Sequence, residues 1–195
     1  MITIIDYGVG NINAFVNVYK RVDVPVKIAR SKEDLSGAEK LILPGVGHFD
    51  YAMKKLNDSG MREELDHLVL HQNIPVIGIC VGMQMMANYS EEGKYEGLKW
   101  IDASVKKFDE TKIHQITRLP HMGWNDVKPT GNNPLFQGLE NDAIFYFLHS
   151  YYFECKHPEE VLAVSDYGVE FASAAHHQNK YGIQFHPESS HHYGE

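Results

Sequence analysis

Short apolar runs alternate with segments of helical spacing along the first half of the chain. The runs predict buried parallel strands at residues 2–5, 26–29, 40–43 and 76–79. Apolar positions at helical spacing predict helices over residues 13–21, opened by an Asn cap, and over residues 61–71. This alternation is typical of a doubly wound α/β sheet, in which ligands bind beyond the carboxyl ends of the strands.

The second half of the chain changes to strand-like pieces separated by Gly, Asn and Pro turns. These pieces lie at residues 103–108, 126–128, 143–153, 162–165, 171–176 and 181–184. The pattern contains no domain boundary, repeat or low-complexity segment. We therefore predict one domain over residues 1–195, with a mixed, mostly parallel sheet flanked by helices.

The fourth apolar run leads directly into a cysteine flanked by glycines and then into a Met-rich helix. The segment Gly78-Ile79-Cys80-Val81-Gly82 has the spacing G-x-C-x-G, the thiol counterpart of the G-x-S-x-G nucleophile elbow. Such a turn presents its central side chain outward, and the N-terminus of the following helix favours a thiolate there. The Val81 amide is then free to donate to a developing oxyanion. An inert core cysteine is the alternative, because unpaired cysteine is among the most buried residue types.

Composition and charge narrow the class of protein. A chain of 195 residues with 43% hydrophobic content is long enough for one core of its own. The two cysteines, Cys80 and Cys155, lie far apart and indicate no disulfide framework, so we expect a reducing cytoplasm. A formal net charge of −8 disfavours a nucleic-acid partner, since most of the surface would repel phosphates. The sequence shows no secretion signal and no apolar run of membrane-spanning length, so we expect no membrane association.

A nucleophilic thiol needs a base, and one of the twelve histidines has a further argument behind it. His186 follows the strand predicted at 181–184, and Glu188 comes two residues later. Pro187 restricts the backbone between them, so that Glu188 can orient an imidazole that activates Cys80. A surface loop with an ordinary histidine is the alternative. The paired histidines at 176–177 and 191–192 are weak metal ligands, because neighbours on a strand point in different directions, and we expect no metal site.

Five segments carry a resemblance to a known family: GICVGMQ at 78–84, LPGVGHF at 43–49, PHMGWN at 120–125, YFLHSYY at 146–152 and YGIQFHPE at 181–188. Together they resemble the class I (triad) glutamine amidotransferases, in the expected order and over nearly the whole chain. Within that family they are most similar to the glutaminase subunits of histidine biosynthesis. The resemblance implies a flavodoxin-like fold and a Cys80, His186 and Glu188 triad that hydrolyses L-glutamine to glutamate and ammonia through a thioester. It also implies a heterodimer with a (βα)8-barrel synthase subunit that receives the ammonia, and no cofactor.

Further roles outside the triad follow from the resemblance. Val81 and Val46 would supply oxyanion donors, and Val46 lies between two glycines that allow its peptide to rotate. The substrate residues that the resemblance implies are Gln84, Glu92, Gly45, His149, Ser150 and Tyr151. The partner contact would be the segment of Pro120, His121, Met122, Trp124 and Asn125, with the tryptophan as an aromatic anchor. Without the resemblance, Gln84 is a polar helix residue, Glu92 part of an acidic cap, and Trp124 as readily a core aromatic.

Two departures from the family pattern stand out, and the second bears on stability more than on chemistry. Ser189 stands where the family usually has a lysine, and the sequence ends where a last amphipathic helix is expected. The Ser-His-x-Tyr-Gly ending at 190–194 resembles a branch that supplies ammonia for amidino-sugar formation in surface polysaccharide biosynthesis, which is the second interpretation. A stand-alone cysteine hydrolase is the third, although Gln84 and the segment at 120–125 favour the amidotransferase. The intact triad disfavours a pseudoenzyme.

Overall fold

Strands and short helices alternate along the computed structural model, which describes residues 1–139 and 143–194 without the side chains of His192 and Tyr193. The strands in this part of the chain are β1 (Ile2–Ile5), β2 (Val26–Ala29), β3 (Lys40–Gly45), β4 (Val76–Cys80), β5 (Tyr89–Ser90), β6 (Ala103–Lys107), β7 (His121–Asp126), β8 (Lys128–Pro129), β9 (Ile144–His149), β10 (Tyr151–Cys155), β11 (Val161–Asp166), β12 (Glu170–His177) and β13 (Lys180–Ile183). The α-helices are α1 (Ile12–Arg21), α2 (Phe49–Asp58), α3 (Arg62–Asp66) and α4 (Val81–Met85). A π-helical turn over His67–His71 extends α3.

A mixed sheet organises the molecule, and its parallel part determines where the site lies. In the described residues the strand order is β2-β1-β3-β4-β13-β12-β10-β6-β5, with β11 beside β12 and β8 beside β11. The strands from β2 to β13 in this order pair in parallel. Gly45 lies opposite Cys80, and Ile183 lies opposite Ile79, so β3, β4 and β13 end at the same level. The residues that follow these three strands therefore converge at one edge of the sheet.

Burial on both faces explains the continuous apolar runs of the parallel strands. Ile4, Ile5 and Leu43 are fully buried between the helices that cover the sheet. The first of these helices begins as the Asn cap predicts, because the Asn11 side chain accepts a hydrogen bond from the Ala14 amide at 3.3 Å.

A separate two-stranded sheet of β7 and β9, here called the ribbon, lies outside the main sheet. Its strands are antiparallel, with His121 opposite His149 and Asp126 opposite Ile144. Only Ser150 separates β9 from β10, which belongs to the main sheet. The chain thus passes from the ribbon into the main sheet at a single residue.

The structure confirms the predicted α/β class, with its mixed, mostly parallel sheet and flanking helices. Two strand predictions were wrong in their bounds: the one at 126–128 covers only the last residue of β7 and the first of β8, and the one at 143–153 is divided at Ser150. Gly123 obscured the first, because it lies at φ +132° within a strand. Helix α2 was not predicted, although its buried residues have helical spacing; they are Phe49, Ala52, Met53 and Leu56.

Candidate active site

Cys80 occupies the sharp turn between β4 and α4. Its backbone lies at φ 55° and ψ −114°, a conformation that is strained for any residue with a side chain. Gly82 allows the turn to pack on β3, because a Cβ at that position would lie 1.9 Å from the Leu43 carbonyl oxygen. Cys80 is 3% exposed, and its Sγ lies 3.9 Å from the Leu148 carbonyl oxygen. The sulfur therefore lies at the carboxyl edge of the sheet, in the position that a nucleophile elbow gives its reactive atom.

His186 and Glu188 follow β13 and lie beside Cys80. Nδ1 of His186 is 2.7 Å from Oε1 of Glu188, and both side chains are almost fully enclosed. Burial by itself lowers the pKa of the His186 imidazole, but hydrogen bonds to Cys80 and Glu188 outweigh it and raise the pKa to about 10. At neutral pH the imidazole is therefore protonated, and an imidazolium next to the sulfur stabilises a thiolate.

Backbone contacts fix the loop that carries His186. The His186 amide donates to the Tyr146 carbonyl oxygen at 2.9 Å, which ties the loop to β9. The Ser190 hydroxyl donates to the His186 carbonyl oxygen at 2.5 Å and accepts from the Tyr146 amide at 3.0 Å. The orientation of the base thus depends on the ribbon as well as on β13.

A cleft of about 310 Å³ opens in front of the sulfur. Its lining contains most of the residues that the sequence places at the site: Val46, Cys80, Val81, Gln84, Glu92, Pro120, His149, Ser150, Tyr151 and His186. Gly45 is buried behind the lining, where its Cβ would lie 2.4 Å from the Gly82 amide nitrogen. The structure therefore brings together residues that come from six separate segments of the sequence.

Glu92 is held in the cleft by a helix that the sequence analysis missed. Its Oε2 accepts a hydrogen bond from the Phe49 amide at 2.9 Å, at the N-terminus of α2. Asp50, one residue further along, accepts from the Lys94 and Tyr95 amides and so fixes the loop after Glu92. A carboxylate at a helix N-terminus is favourable, so this contact holds the Glu92 side chain in place in the cleft.

Gln84 and Gln184 form a hydrogen-bonded pair behind the sulfur. Nε2 of Gln84 donates to the Tyr151 carbonyl oxygen at 3.0 Å and to Oε1 of Gln184 at 2.9 Å. Nε2 of Gln184 lies 3.7 Å from Sγ of Cys80. The sequence analysis gave Gln184 no role. Its position could have indicated one, because a polar amide there follows directly on an apolar strand and comes two residues before His186.

His149 and His121 form a second buried pair on the ribbon side of the cleft. Nδ1 of His121 lies 2.9 Å from Nε2 of His149, whose Nδ1 lies 2.7 Å from the Tyr151 carbonyl oxygen. Burial lowers the pKa of His121 to about 4 and, together with the neighbouring His121, that of His149 to about 3. Both rings are therefore neutral at pH 7. Since a carbonyl oxygen can only accept, His149 carries its hydrogen on Nδ1, and its Nε2 accepts from Nδ1 of His121. Nε2 of His121 in turn accepts from Nδ2 of Asn125 across 3.2 Å.

The outer face of the ribbon is apolar and exposed. Met122, Trp124 and Leu148 are 62%, 47% and 44% exposed, and the indole stacks on the His191 ring at 5.6 Å. The structure corrects the sequence prediction for His121, because the alternation of a strand turns it inward, where it stacks between Phe147 and Tyr167. The predicted partner contact therefore retains Met122 and Trp124 as surface residues.

Features that point to other chemistry are few. A second cleft of about 330 Å³ lies near the starts of β1, β3 and β4, is lined mainly by apolar side chains and holds none of the predicted site residues. Within residues 1–139 and 143–194, no group of three or more His, Cys, Asp or Glu side chains is arranged to hold a metal ion. No helix of the described part of the chain is long and apolar enough to cross a membrane.

The fold and the site have the arrangement of a thiol enzyme built on an α/β nucleophile elbow, with a histidine beside the thiol and a carboxylate beside the histidine. Residues 3–195 match the family model described as glutamine amidotransferase class-I, and the chain belongs to that family. A crystal structure of a glutamine amidotransferase has the same fold, with a TM-score of 0.74 and 21% identity over 96% of this chain and 90% of the other.

Curated relatives match the chain along its full length. The imidazole glycerol phosphate synthase subunit HisH of Bdellovibrio bacteriovorus is 56% identical over 194 residues, which cover 100% of this chain and 95% of the relative. The protein of the same name from Leptospira borgpetersenii is 48% identical with the same coverage. In Pseudomonas aeruginosa the similar protein is named imidazole glycerol phosphate synthase subunit HisH 2 and is 45% identical, again over 100% of this chain and 95% of the relative.

Proposed function

We propose that the chain is a glutaminase subunit that hydrolyses L-glutamine to glutamate and ammonia through a Cys80 thioester. The observation that carries the proposal is the arrangement of Cys80, His186 and Glu188 beside a cleft whose lining also contains Gln84 and Glu92. A hydrolase acting on unrelated substrates would not need a carboxylate and a fixed amide in the same cleft as the thiol. The names of the relatives support the same assignment.

The reaction divides into two steps that the triad can perform. The Cys80 thiolate attacks the side-chain carbonyl carbon of glutamine, a C–S bond forms, and His186 gives its proton to the departing nitrogen as the C–N bond breaks. Ammonia leaves, and a water molecule then attacks the thioester while His186 takes its proton. The C–S bond breaks, glutamate is released, and the thiolate is restored. The Val81 amide, at the start of α4, stabilises the oxyanion in both steps.

The cleft selects the amino-acid head of the substrate. Both hydrogens of the Gln84 amide are used by Tyr151 and Gln184, so its oxygen is the group it presents to a substrate ammonium. The Glu92 carboxylate adds a negative charge for the same ammonium. The backbone of residues 149–151 completes the pocket wall, and no cofactor takes part.

A barrel-shaped synthase subunit of the (βα)8 type is the proposed partner, in a cytoplasmic heterodimer. It would dock on the exposed face of the ribbon, where Met122, Trp124 and Leu148 form an apolar surface next to the cleft. Ammonia would pass to that subunit without entering water, for synthesis of imidazole glycerol phosphate and AICAR in histidine biosynthesis. We further propose that the chain acts as one domain.

Partner binding would also switch the oxyanion site. Gly47 lies at φ +81° with open space around it, so the peptide next to Val46 can rotate at little steric cost. The Val46 amide would point away from Cys80 in the isolated chain and toward Cys80 when the partner, with its acceptor bound, is docked. One oxyanion donor is worth about 10²- to 10³-fold in rate, which is enough for a large activation.

A second candidate function is supply of ammonia for amidino-sugar formation in surface polysaccharide biosynthesis. Ser189 replaces the lysine expected after His-Pro-Glu, and it is exposed at the end of the turn Pro187–Ser189, which packs against β9 of the ribbon. A changed residue at this place is consistent with a different synthase partner. The number in the name HisH 2 of the similar Pseudomonas aeruginosa protein fits a family with more than one member in an organism.

Glutamate release separates these possibilities. The chain alone should release little glutamate, and the synthase subunit that is its true partner, loaded with its acceptor, should stimulate release strongly. The histidine-pathway synthase and the amidino-sugar synthase are compared side by side, with saturating ammonium as an alternative nitrogen source. A synthase that still requires this chain at saturating ammonium would contradict simple ammonia delivery, and high activity of the chain alone would contradict the oxyanion switch.

A further inference from the structure

Gln184 is a buried polar residue for which the proposed reaction has no use so far. It is 0% exposed at the end of β13. A buried amide is costly unless its groups are hydrogen-bonded, and this one has a partner at each end. Its Oε1 accepts from Gln84, which lines the cleft, and its Nε2 lies within hydrogen-bonding distance of the Cys80 sulfur.

We propose that Gln184 is a positioning residue that donates a hydrogen bond to the Cys80 thiolate and fixes the Gln84 amide toward the substrate. The orientation of both amides follows from their partners. The Tyr151 carbonyl oxygen can only accept, so Gln84 directs its NH₂ group at it and gives the second hydrogen to Gln184. Gln184 therefore turns its oxygen to Gln84 and its NH₂ group to the sulfur. A hydrogen bond to the charged form favours that form, so the thiolate gains from this contact.

The two ends of Gln184 have separate consequences. Loss of the donor should make the thiolate harder to form, whatever the substrate is. Loss of the acceptor should release Gln84 and weaken glutamine binding, and this half rests on the proposed function. The pair thereby links recognition of the substrate head to readiness of the nucleophile.

The test compares Gln184→Met, which keeps the length of the side chain but removes donor and acceptor, with Gln184→Glu, which keeps an acceptor for Gln84. The readout is the rate of Cys80 alkylation by iodoacetamide as a function of pH, followed by KM and kcat for glutamine. In Gln184→Met the pH midpoint of alkylation should rise by about one unit and KM should rise. In Gln184→Glu the midpoint should rise further, because a carboxylate opposes a nearby thiolate, while KM stays closer to that of the wild type.

Ser173→Ala is the matched control. Ser173 is fully buried on the neighbouring strand, and its backbone carbonyl accepts from the backbone amide of Gln184. Its hydroxyl has no hydrogen-bond partner among the described residues. This variant should leave the midpoint and KM unchanged. Circular dichroism and thermal unfolding establish which variants fold. If Gln184→Met does not fold, Gln184→Glu tests the contact with the sulfur.

Folded Gln184 variants with the wild-type alkylation midpoint would overturn the proposed contact with the sulfur. An unchanged KM in Gln184→Met would overturn the proposal that Gln184 fixes the orientation of the Gln84 amide. A wild-type chain that does not hydrolyse glutamine, but whose alkylation midpoint still responds to Gln184, would overturn the proposed function and support the sulfur contact.

Discussion

The elbow around Cys80 and the ribbon of β7 and β9 border the same cleft, but they differ in how closely their residues are packed. Every residue of α4 is buried, and a Cβ at Gly78 or Gly82 would meet backbone atoms at 2.6 Å or less. The ribbon buries one face and exposes the other, and a Cβ at Gly123 would meet open space. The elbow therefore has one permitted geometry, whereas the outer face of the ribbon tolerates changes in shape and composition.

This difference in packing assigns the reaction to the elbow and association with a partner to the outer face of the ribbon. The strained Cys80 backbone persists because close packing on β3 leaves it no alternative. The ribbon contributes to the chemistry only through its inward side, where His149 and the Tyr146 backbone support the cleft and the base. Changes in the elbow should therefore affect the reaction or the fold, and changes on the outer ribbon should affect association.

Removal of the nucleophile should give the largest effect of all. Cys80→Ala should lower glutamine hydrolysis by at least about 10⁴-fold, because no thioester can form, while partner binding at the ribbon stays at the wild-type level. His186→Ala should block turnover as fully, whereas Glu188→Gln should cost less, since the orienting acid is the least costly member of such a triad. Glutamate release and titration with the synthase subunit measure the two properties. Activity in purified Cys80→Ala, or equal and complete loss in all three variants, would contradict these roles.

The packing of the elbow should appear next, as a loss of stability. Gly82→Ala would place a methyl group 1.9 Å from the Leu43 carbonyl oxygen and should lower the free energy of unfolding by about 3 kcal/mol. Gly123→Ala in the ribbon meets no atom and should cost only about 1 kcal/mol, from its positive φ. Gly131→Ala, with open space and no unusual φ, is the neutral control. Urea unfolding measures all three, and a Gly82→Ala protein as stable as Gly131→Ala would contradict the packing argument.

Acid should weaken the inner side of the ribbon. The pKa of His121 is about 4 in the fold and near 6.5 in an unfolded chain, so the unfolded chain takes up the proton first. The stability that neutral His121 supports is thus present above pH 6.5 and is lost as the pH falls toward 4. At pH 5 the loss should be about 2 kcal/mol. Between pH 7 and pH 5 the wild type should therefore lose about that much more unfolding free energy than His121→Phe. The same pH dependence in both proteins would show that His121 is not held neutral.

The smallest effect should come from the outer face of the ribbon. Trp124→Ala should weaken binding of the synthase subunit by roughly tenfold, because a large aromatic at the centre of an interface is worth about 1–2 kcal/mol or more. Alkylation of Cys80 in the isolated chain should be unaffected. Tyr89→Ala is the control, since Tyr89 is similarly exposed at 48% but lies on the edge strand β5. Equal binding by Trp124→Ala and Tyr89→Ala would remove Trp124 from the interface.

The elbow could be predicted from sequence because its causes are local. Five consecutive residues specify the strand end, the turn and the helix start, and the structure places Cys80 there. The ribbon could not be predicted in the same way, because β7 is a strand through its pairing with β9, whose residues lie 18 to 28 positions further on. The same holds for Glu92, fixed by an amide 43 residues away, and for Gln184, which meets its partner Gln84 across 100 residues. No window of sequence contains both members of such a contact.

Alternate side chains of β7 belong to different environments, and this separation has an evolutionary consequence. His121 and Asn125 maintain the buried hydrogen bonds behind the cleft, while Met122 and Trp124 face outward. Substitutions at positions 122 and 124 can therefore accumulate without disturbing the amide hydrolysis inherited from an ancestor. If the partner docks on this face, as proposed, a few changes on one side of a single strand after gene duplication would redirect the ammonia to a new acceptor enzyme.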